Sequence, residues 1–274
     1  QVGAEDEANM PSLSSNLIRS LFTGQVNSWY DVVDANGTDL ITLAGANAPA
    51  QDSVALCIRN SGSGARAQFL ANMLRIPCLD KAVAPYLVEG GEWPMVQTND
   101  SSGFMAECLG DFDDDEQLQW AIGYQSTEKN VDLLYNYRFI KIDGAAPTLT
   151  NVANDKYHQW VEQSLQYNTA AYNTAPDAAK NVIDLIAEEM GSACVYGWSC
   201  IWEHGALNYN YVHSWGQGGY MVKPTDRFGI QPPAFPYSDV YPVNSTTRSP
   251  GGFGPDSCRP PVHVNGAWPG AVGF

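Results

Sequence analysis

A short polar segment has the composition of an anion-binding loop. An apolar run over residues 54–58 leads into Arg59-Asn60-Ser61-Gly62-Ser63-Gly64-Ala65, where a helical pattern begins. Backbone N–H groups in the first turn of a helix have no intrahelical acceptor, so they can point together at an oxyanion, helped by the helix dipole. Ser61 and Ser63 add hydroxyl donors, and Arg59 adds a guanidinium fork.

The same loop also fits a plain strand–loop–helix turn whose serines only cap the helix. It lacks the Lys-Ser/Thr pair with which phosphate-binding loops reach terminal phosphates and Mg²⁺, so nucleotide hydrolysis is not expected. A second Ser/Gly turn, Asn99-Asp100-Ser101-Ser102-Gly103, precedes another helix start at Phe104. Ser101 and Ser102 of that turn join the candidate binding residues.

Helical and strand patterns alternate through residue 190, which predicts an α/β fold. The helix over residues 12–22 has Ser12 or Ser14 as its N-cap and Gly24 as its terminator. Further helices are predicted over 65–76 and 177–190, and strands over 54–58, 120–124 and 139–142, the last followed by an Asp143-Gly144 turn.

Composition excludes several classes of protein. With 274 residues, 44% of them hydrophobic, the chain can bury one large core or two small ones. Its net charge of −16 and its lack of a Lys/Arg cluster argue against nucleic acid and anionic membranes as partners. No window reaches the roughly 18 to 20 apolar residues of a membrane span. Local dipoles can still bind an anion on an acidic protein.

The cysteines indicate disulfides in an exported protein, periplasmic or extracellular, rather than a zinc site, because none forms a CxxC pair at metal-ligand spacing with His. Six cysteines allow about 15 pairings, and the sequence does not choose among them. The pairs expected first are Cys194 with Cys200, then Cys78 with Cys108, which leaves Cys57 with Cys258.

From about residue 192 onward, Gly, Pro, Asn, Tyr and Trp dominate and helical periodicity ends. This segment is too aromatic for an ordinary disordered linker. We expect either a loop-rich extension stapled over its own domain by cysteines or an arm that docks on a neighbouring subunit. The predicted organisation is a lobe with the oxyanion loop over residues 1–125, a return segment over 126–191 and this extension over 192–274.

An enzyme is not expected. The four histidines are scattered, and His204 and His213 do not have metal-site spacing. No Gly-x-Ser-x-Gly elbow follows a strand, and Cys57 in a buried run is a poor nucleophile. The sequence therefore predicts no catalytic residue, no metal site and no cofactor.

Four separated segments, taken in order over residues 10–165, resemble the phosphate-binding proteins of ABC uptake systems, which have the type II periplasmic binding protein fold. Residues 17–29 are similar to the family's helix and its IF-x-G-x-I-x-x-W signature, and residues 59–65 to its Arg-x-x-Gly-Ser-Gly-Thr oxyanion loop. Residues 121–124 are similar to the second crossing between lobes, and residues 142–148 to the segment after it.

The resemblance implies that Arg59 contributes a guanidinium to the bound anion, Ser63 a hydroxyl, and Gly64 and Ala65 backbone N–H groups. Two positions depart from the family pattern. Ala65 replaces a Thr hydroxyl donor, and Ser61 replaces the acidic residue that commonly steadies the Arg. The family's first-lobe beginning has no counterpart upstream of Gln1.

Two functions follow as expectations. The first is an extracytoplasmic solute-binding protein for phosphate or a related oxyanion, which the resemblance pairs with an ABC transporter permease and with a hinge near residues 124–126. The second is a structural subunit of an extracellular assembly that reuses a binding-protein lobe, binds copies of itself and uses residues 192–274 as an inter-subunit arm.

Overall fold

The computed structural model describes residues 8, 10–79, 87–89, 94–114, 119–127, 129–130, 134–148, 151–152, 156–161, 168–190, 246–247, 258 and 262–263. The chain divides into two compact units, Gln1–Thr148 and Leu149–Phe274. Helices alternate with parallel strands in the first unit, so the predicted α/β class is confirmed.

A three-stranded parallel sheet forms the centre of the first unit. Strand β2, Gln51–Arg59, lies between β3, Met95–Asn99, and β4, Gln119–Gly123. Residues 53–58 of β2 are buried, as the continuous apolar run requires for a strand covered on both faces. Both predicted strands are confirmed, although β2 is longer than predicted and β4 begins and ends one residue earlier.

Helices cover the two faces of this sheet. Helix α3, Gly64–Phe69, continues as a π-helical turn over Leu70–Leu74, and α4 spans Ser102–Asp114. Successive residues of a strand point to opposite faces. Ile58 accordingly belongs to the larger hydrophobic core with the π-helical turn, whereas Cys57 belongs to a second core with Met105 of α4.

The chain places the next two strands on opposite sides of β2. The chain leaves β2 through α3 to β3 on one side, then leaves β3 through α4 to β4 on the other side. The two helices therefore depart toward opposite faces from two adjacent strands. The predicted helix over 65–76 is confirmed with shifted bounds, and it ends at Leu74 because Arg75 is left-handed, with φ of 61°.

The first predicted helix starts later than the hydrophobic pattern suggests. Strand β1, Ser12–Leu13, pairs with β5, Lys141–Ile142, and α1 spans Ser15–Phe22. Of the two proposed caps, Ser14 is the N-cap, since its side chain accepts from the N–H of Leu17 at 3.1 Å. Gly24 follows the helix with φ of 68°, where a Cβ would lie 2.8 Å from Val88 Cγ2.

The remaining elements of this unit are short. They are α2, Leu40–Ala44, and 3₁₀ turns over Trp29–Asp31, Gly45–Asn47 and Ile76–Cys78. Strand β5 holds only the last two residues of the strand predicted over 139–142. The Asp143-Gly144 turn that follows is confirmed, because both residues have positive φ, 51° and 85°.

The second unit contains two described helices and a strand pair. Helix α5 spans Thr169–Thr174 and α6 spans Asp177–Met190, which confirms the predicted helix over 177–190. Strands β6, Thr246–Thr247, and β7, Val262–His263, are antiparallel. Most of the predicted extension over 192–274 lies outside the described residues. No helix within them has the length and hydropathy to cross a bilayer.

One disulfide corrects the expected pairing. Cys57 is bonded to Cys108, with their Cα atoms 6.1 Å apart. The expected Cys78–Cys108 and Cys57–Cys258 pairs are therefore wrong. Cys57 points to the face of the sheet that α4 covers, and this places its sulfur against Cys108. Cys78 and Cys258 each take part in a disulfide as well. The Cys194–Cys200 pair lies outside the described residues.

We expect this disulfide to contribute strongly to the stability of the first unit. Changing both Cys57 and Cys108 to Ala opens a loop with a sequence separation of 51, and loop-closure entropy of that size corresponds to about 4 kcal/mol. We expect guanidinium unfolding to show a loss of about 2–4 kcal/mol in the free energy of unfolding. Met105→Leu, a volume-conserving change in the same core, should cost under about 1.5 kcal/mol. Equal stability of the double variant and the wild type would contradict the prediction.

Candidate functional site

The carboxyl ends of three parallel strands meet at one edge of the sheet. Arg59 ends β2, Asn99 ends β3, and Tyr124 follows the last residue of β4. Open α/β sheets bind ligands outside the carboxyl ends of their strands, where adjacent strands send their helices to opposite faces. Strands β2 and β3 form such a pair. We call the loops after them, residues 59–65 and 99–103, the cradle.

The Arg59 side chain crosses from the first cradle loop to the second. Its Nε donates to the carbonyl oxygen of Asn99 at 3.2 Å and its Nη2 to that of Asp100 at 3.2 Å. Its Nη1 donates to Ser102 Oγ at 3.1 Å. Guanidinium has five N–H donors. Three are thus used, and the other two have no acceptor in the part of the chain that the structure describes.

Backbone and amide groups tie the same two loops together. The Asn60 N–H donates to the Asn99 carbonyl at 3.1 Å, and Asn60 Nδ2 donates to Asp100 Oδ1 at 3.1 Å. Asn99 itself is buried, and its side-chain amide donates to the Ile58 carbonyl at 3.2 Å across the strand pair. The relative position of the loops is therefore set by several bonds besides those of Arg59.

Both cradle helices begin in the same way. Ser63 Oγ accepts from the N–H of Arg66 at 3.4 Å at the start of α3, and Ser101 Oγ accepts from the N–H of Phe104 at 3.1 Å at the start of α4. The hydroxyl groups of these two serines thus act as helix caps, as the plain strand–loop–helix interpretation of the sequence expects. Ser63 is buried, whereas Ser101 is exposed.

The first two N–H groups of each helix remain unused by the caps. In α3 they belong to Gly64 and Ala65, and in α4 to Ser102 and Gly103. Among the described residues, none of these four groups has a backbone or side-chain acceptor. Two pairs of orphan donors, with the positive ends of two helix dipoles, thus lie at the same edge of the sheet as Arg59.

Tyr124 was not expected in the site from the sequence. Its hydroxyl oxygen accepts from the Arg59 N–H at 3.0 Å. The ring stacks on Phe69, with centroids 4.3 Å apart and planes at 10°, and also contacts Phe22. Burial raises the pKa of the Tyr124 phenol above its usual value, while the Arg59 N–H and the charges of Arg66 and Arg59 oppose that rise in pKa.

Three further side chains support the cradle. Gln125 Nε2 donates to the Ser102 carbonyl at 2.8 Å, so the segment after β4 contacts the second loop as well. Arg66 is buried, donates from Nη1 to the Arg59 carbonyl at 3.0 Å and pairs with the exposed carboxylate of Glu89. Two arginine side chains, Arg59 and Arg66, therefore lie at the carboxyl end of β2.

The structure brings together most of the residues singled out in the sequence. Arg59 contacts Ser102 directly, and Ser63, Gly64 and Ala65 form the start of α3 beside it, while Ser61 is exposed at the loop tip. The residues that sequence reasoning missed are Asn60, Arg66, Glu89, Asn99, Asp100, Tyr124 and Gln125. Asn60, Asn99 and Asp100 lie within the two Ser/Gly turns that the sequence picked out without being named as candidates, and residues 124–125 were expected only as part of a hinge.

Among the described residues, no group of three or more His, Cys, Asp or Glu side chains could hold a metal ion. The arrangement instead offers neutral and cationic hydrogen-bond donors. Donors of this kind are able to form charge-assisted hydrogen bonds with an anion.

No protein-family model and no curated protein matches the chain. It is similar to solved structures of an ABC-type phosphate transport receptor from Vibrio cholerae (18% identity, TM-score 0.40) and a putative phosphate ABC transporter substrate-binding protein with bound phosphate from Clostridium perfringens (21%, 0.38). A third is PstS from Borrelia burgdorferi (14%, 0.35). Each match covers 65% of this chain and 58% of the other. These proteins are of the family whose motifs the sequence resembles.

The environment of Tyr124 predicts its titration. Burial raises the pKa of its phenol above 10.0. In the difference spectrum between the wild type and Tyr124→Phe, the phenolate absorbance should therefore appear at a higher pH than for a solvated tyrosine. Between the pKa of Tyr124 in the unfolded chain and its higher pKa in the folded chain, the folded state binds more protons than the unfolded state. The stability due to Tyr124 is present below the unfolded pKa and is lost as pH rises through the folded pKa. The same titration in denaturant serves as the control, and identical midpoints in both conditions would refute the assignment.

Proposed function

We propose that this chain is an extracytoplasmic solute-binding protein that holds phosphate or a similar oxyanion in the cradle. The observation that carries the proposal is the Arg59 guanidinium, which is fixed on the loop before α4, at the sheet edge where α3 also begins, and retains two N–H donors in the described part of the chain. An anion placed there would accept hydrogen bonds from these two N–H donors and from the orphan N–H groups of α3 and α4. Phosphate is the first candidate because the Arg59-to-Ala65 motif resembles that of phosphate-binding proteins.

Local charge favours an anion although the whole chain has a net charge of −16. Arg59 and Arg66 lie at the same strand end, and the Glu89 carboxylate that pairs with Arg66 is exposed. Asp100 is also exposed in the second loop, and its carboxylate accepts from Asn60. Solvent screens exposed charges, whereas the half-buried guanidinium of Arg59 is screened much less toward a ligand in contact with it.

The two departures from the family motif set the expected affinity. Ala65 offers its N–H without a hydroxyl, and the exposed Ser61 offers no carboxylate to Arg59. In this chain the Asn99 and Asp100 carbonyl groups and Ser102 orient the guanidinium instead. One lost hydrogen bond to a charged ligand costs about 1.5–3 kcal/mol, so binding one to two orders of magnitude weaker than with a complete set is expected.

Delivery of the solute to an ABC permease, and an exported location, belong to this proposal. Assembly into a larger structure through residues 192–274 stays a prediction of the sequence, because those residues lie largely outside the described part of the chain.

Arg59 provides the test. Isothermal titration of the purified chain with phosphate, sulfate and molybdate should show binding of at least one anion. Arg59→Ala should abolish it, and Arg59→Lys, which keeps the charge but loses the fork, should weaken it about 10- to 100-fold. The matched control is Lys180→Ala, which removes the same charge beside Asp177 on α6 and should leave affinity unchanged.

Thermal unfolding of each variant, measured alongside, separates loss of binding from loss of folding. Absence of heat with all three anions, or equal affinity of the wild type and a folded Arg59→Ala variant, would overturn the proposed function.

A further inference from the structure

We propose that the Tyr124 hydroxyl is a direct hydrogen-bond donor to the bound oxyanion. This inference rests on the proposed function and adds a residue from the third strand to the cradle. Tyr124 lies outside the Arg59-to-Ala65 motif and directly follows β4.

The hydrogen-bond pattern leaves the phenolic proton unassigned. Tyr124 Oη accepts from the Arg59 N–H at 3.0 Å, so in that contact the phenol uses a lone pair and keeps its own proton. No acceptor for this proton exists among the described residues. A ligand oxygen at the strand ends would supply an acceptor for this half-buried donor, which receives none from the described residues.

Stacking fixes the position from which this donor acts. The ring lies 4.3 Å from Phe69 at an interplanar angle of 10° and contacts Phe22 on another side, so neither the ring nor its hydroxyl is free to swing away. The oxygen is held against the backbone of Arg59, whose guanidinium extends to the second loop. Oη thus lies at the carboxyl end of β2, the edge of the sheet at which α3 also begins, and an anion held at that edge by the Gly64 and Ala65 N–H groups would be within the hydroxyl's reach under this proposal.

The surroundings also keep the hydroxyl protonated. Burial raises the pKa of the Tyr124 phenol, and the opposing influences of Arg59 and Arg66 do not reverse that direction. The groups that face it are the Arg59 N–H, the charges of Arg59 and Arg66, and the rings of Phe22 and Phe69. A neutral phenol at ordinary pH donates to an anion, whereas a phenolate would repel it.

Two variants of Tyr124 separate donating from accepting. Tyr124→Phe removes the hydroxyl and should weaken binding of inorganic phosphate about 10- to 100-fold, as expected for a lost bond to a charged ligand. Replacing Tyr124 with 3-fluorotyrosine makes the hydroxyl a stronger donor and a weaker acceptor. At a slightly acidic pH where the fluorinated phenol stays protonated, this variant should bind phosphate more tightly than the wild type.

The outcomes distinguish the inference from the proposed function. If Arg59→Ala abolishes phosphate binding but Tyr124→Phe leaves the dissociation constant unchanged, the function stands and the inference is wrong. If the fluorinated chain binds more weakly than the wild type, the hydroxyl only supports Arg59 as an acceptor, and the inference is again wrong. Failure of the wild type to bind any oxyanion overturns both. Thermal unfolding of each chain identifies a folding defect, and the fluorinated chain keeps the test valid if Tyr124→Phe does not fold.

Discussion

The described site depends on the Arg59 guanidinium lying across the gap between two parallel strands. Its bonds to two carbonyl groups and one hydroxyl of the second loop join the loop after β2 to the loop after β3. Because the helices that follow these loops depart to opposite faces, both helix starts open at the same edge of the sheet. Arg59, together with the Asn60 and Asn99 hydrogen bonds between the same loops, therefore positions the donors of two helices, each capped by a serine.

The surrounding fold supports this edge on both faces of the sheet. Aromatic packing of Phe22, Phe69 and Tyr124 supports the cradle on the face covered by α1 and α3. The Cys57–Cys108 disulfide fixes α4 to the central strand on the other face. A rigid support of this kind lowers the entropic cost of ordering donors around a ligand.

Local chemistry was readable from the sequence, whereas long-range pairing was not. Residues 54–58 and the serine caps have signals within a few positions, namely a continuous apolar run and a Ser/Gly turn before a helical period. The bond between Cys57 and Cys108 depends on which face of the sheet each one occupies, and spacing does not encode that. Tyr124 and Gln125 enter the site because β4 lies beside β2, a neighbour that only the strand order reveals. The start of α1 moved for the same reason, since pairing of residues 12–13 with β5 overrode the helical pattern.

The central claim is that one anion draws on both cradle loops at once. Its most direct test is an NMR titration of the isotopically labelled chain with phosphate, following the backbone amides of Gly64, Ala65, Ser102 and Gly103 and the Nε–H of Arg59. Hydrogen bonding to an anion should move all of these signals together, with a single dissociation constant. Signals that stay in place, or that move in only one of the two loops, would contradict a site built from both.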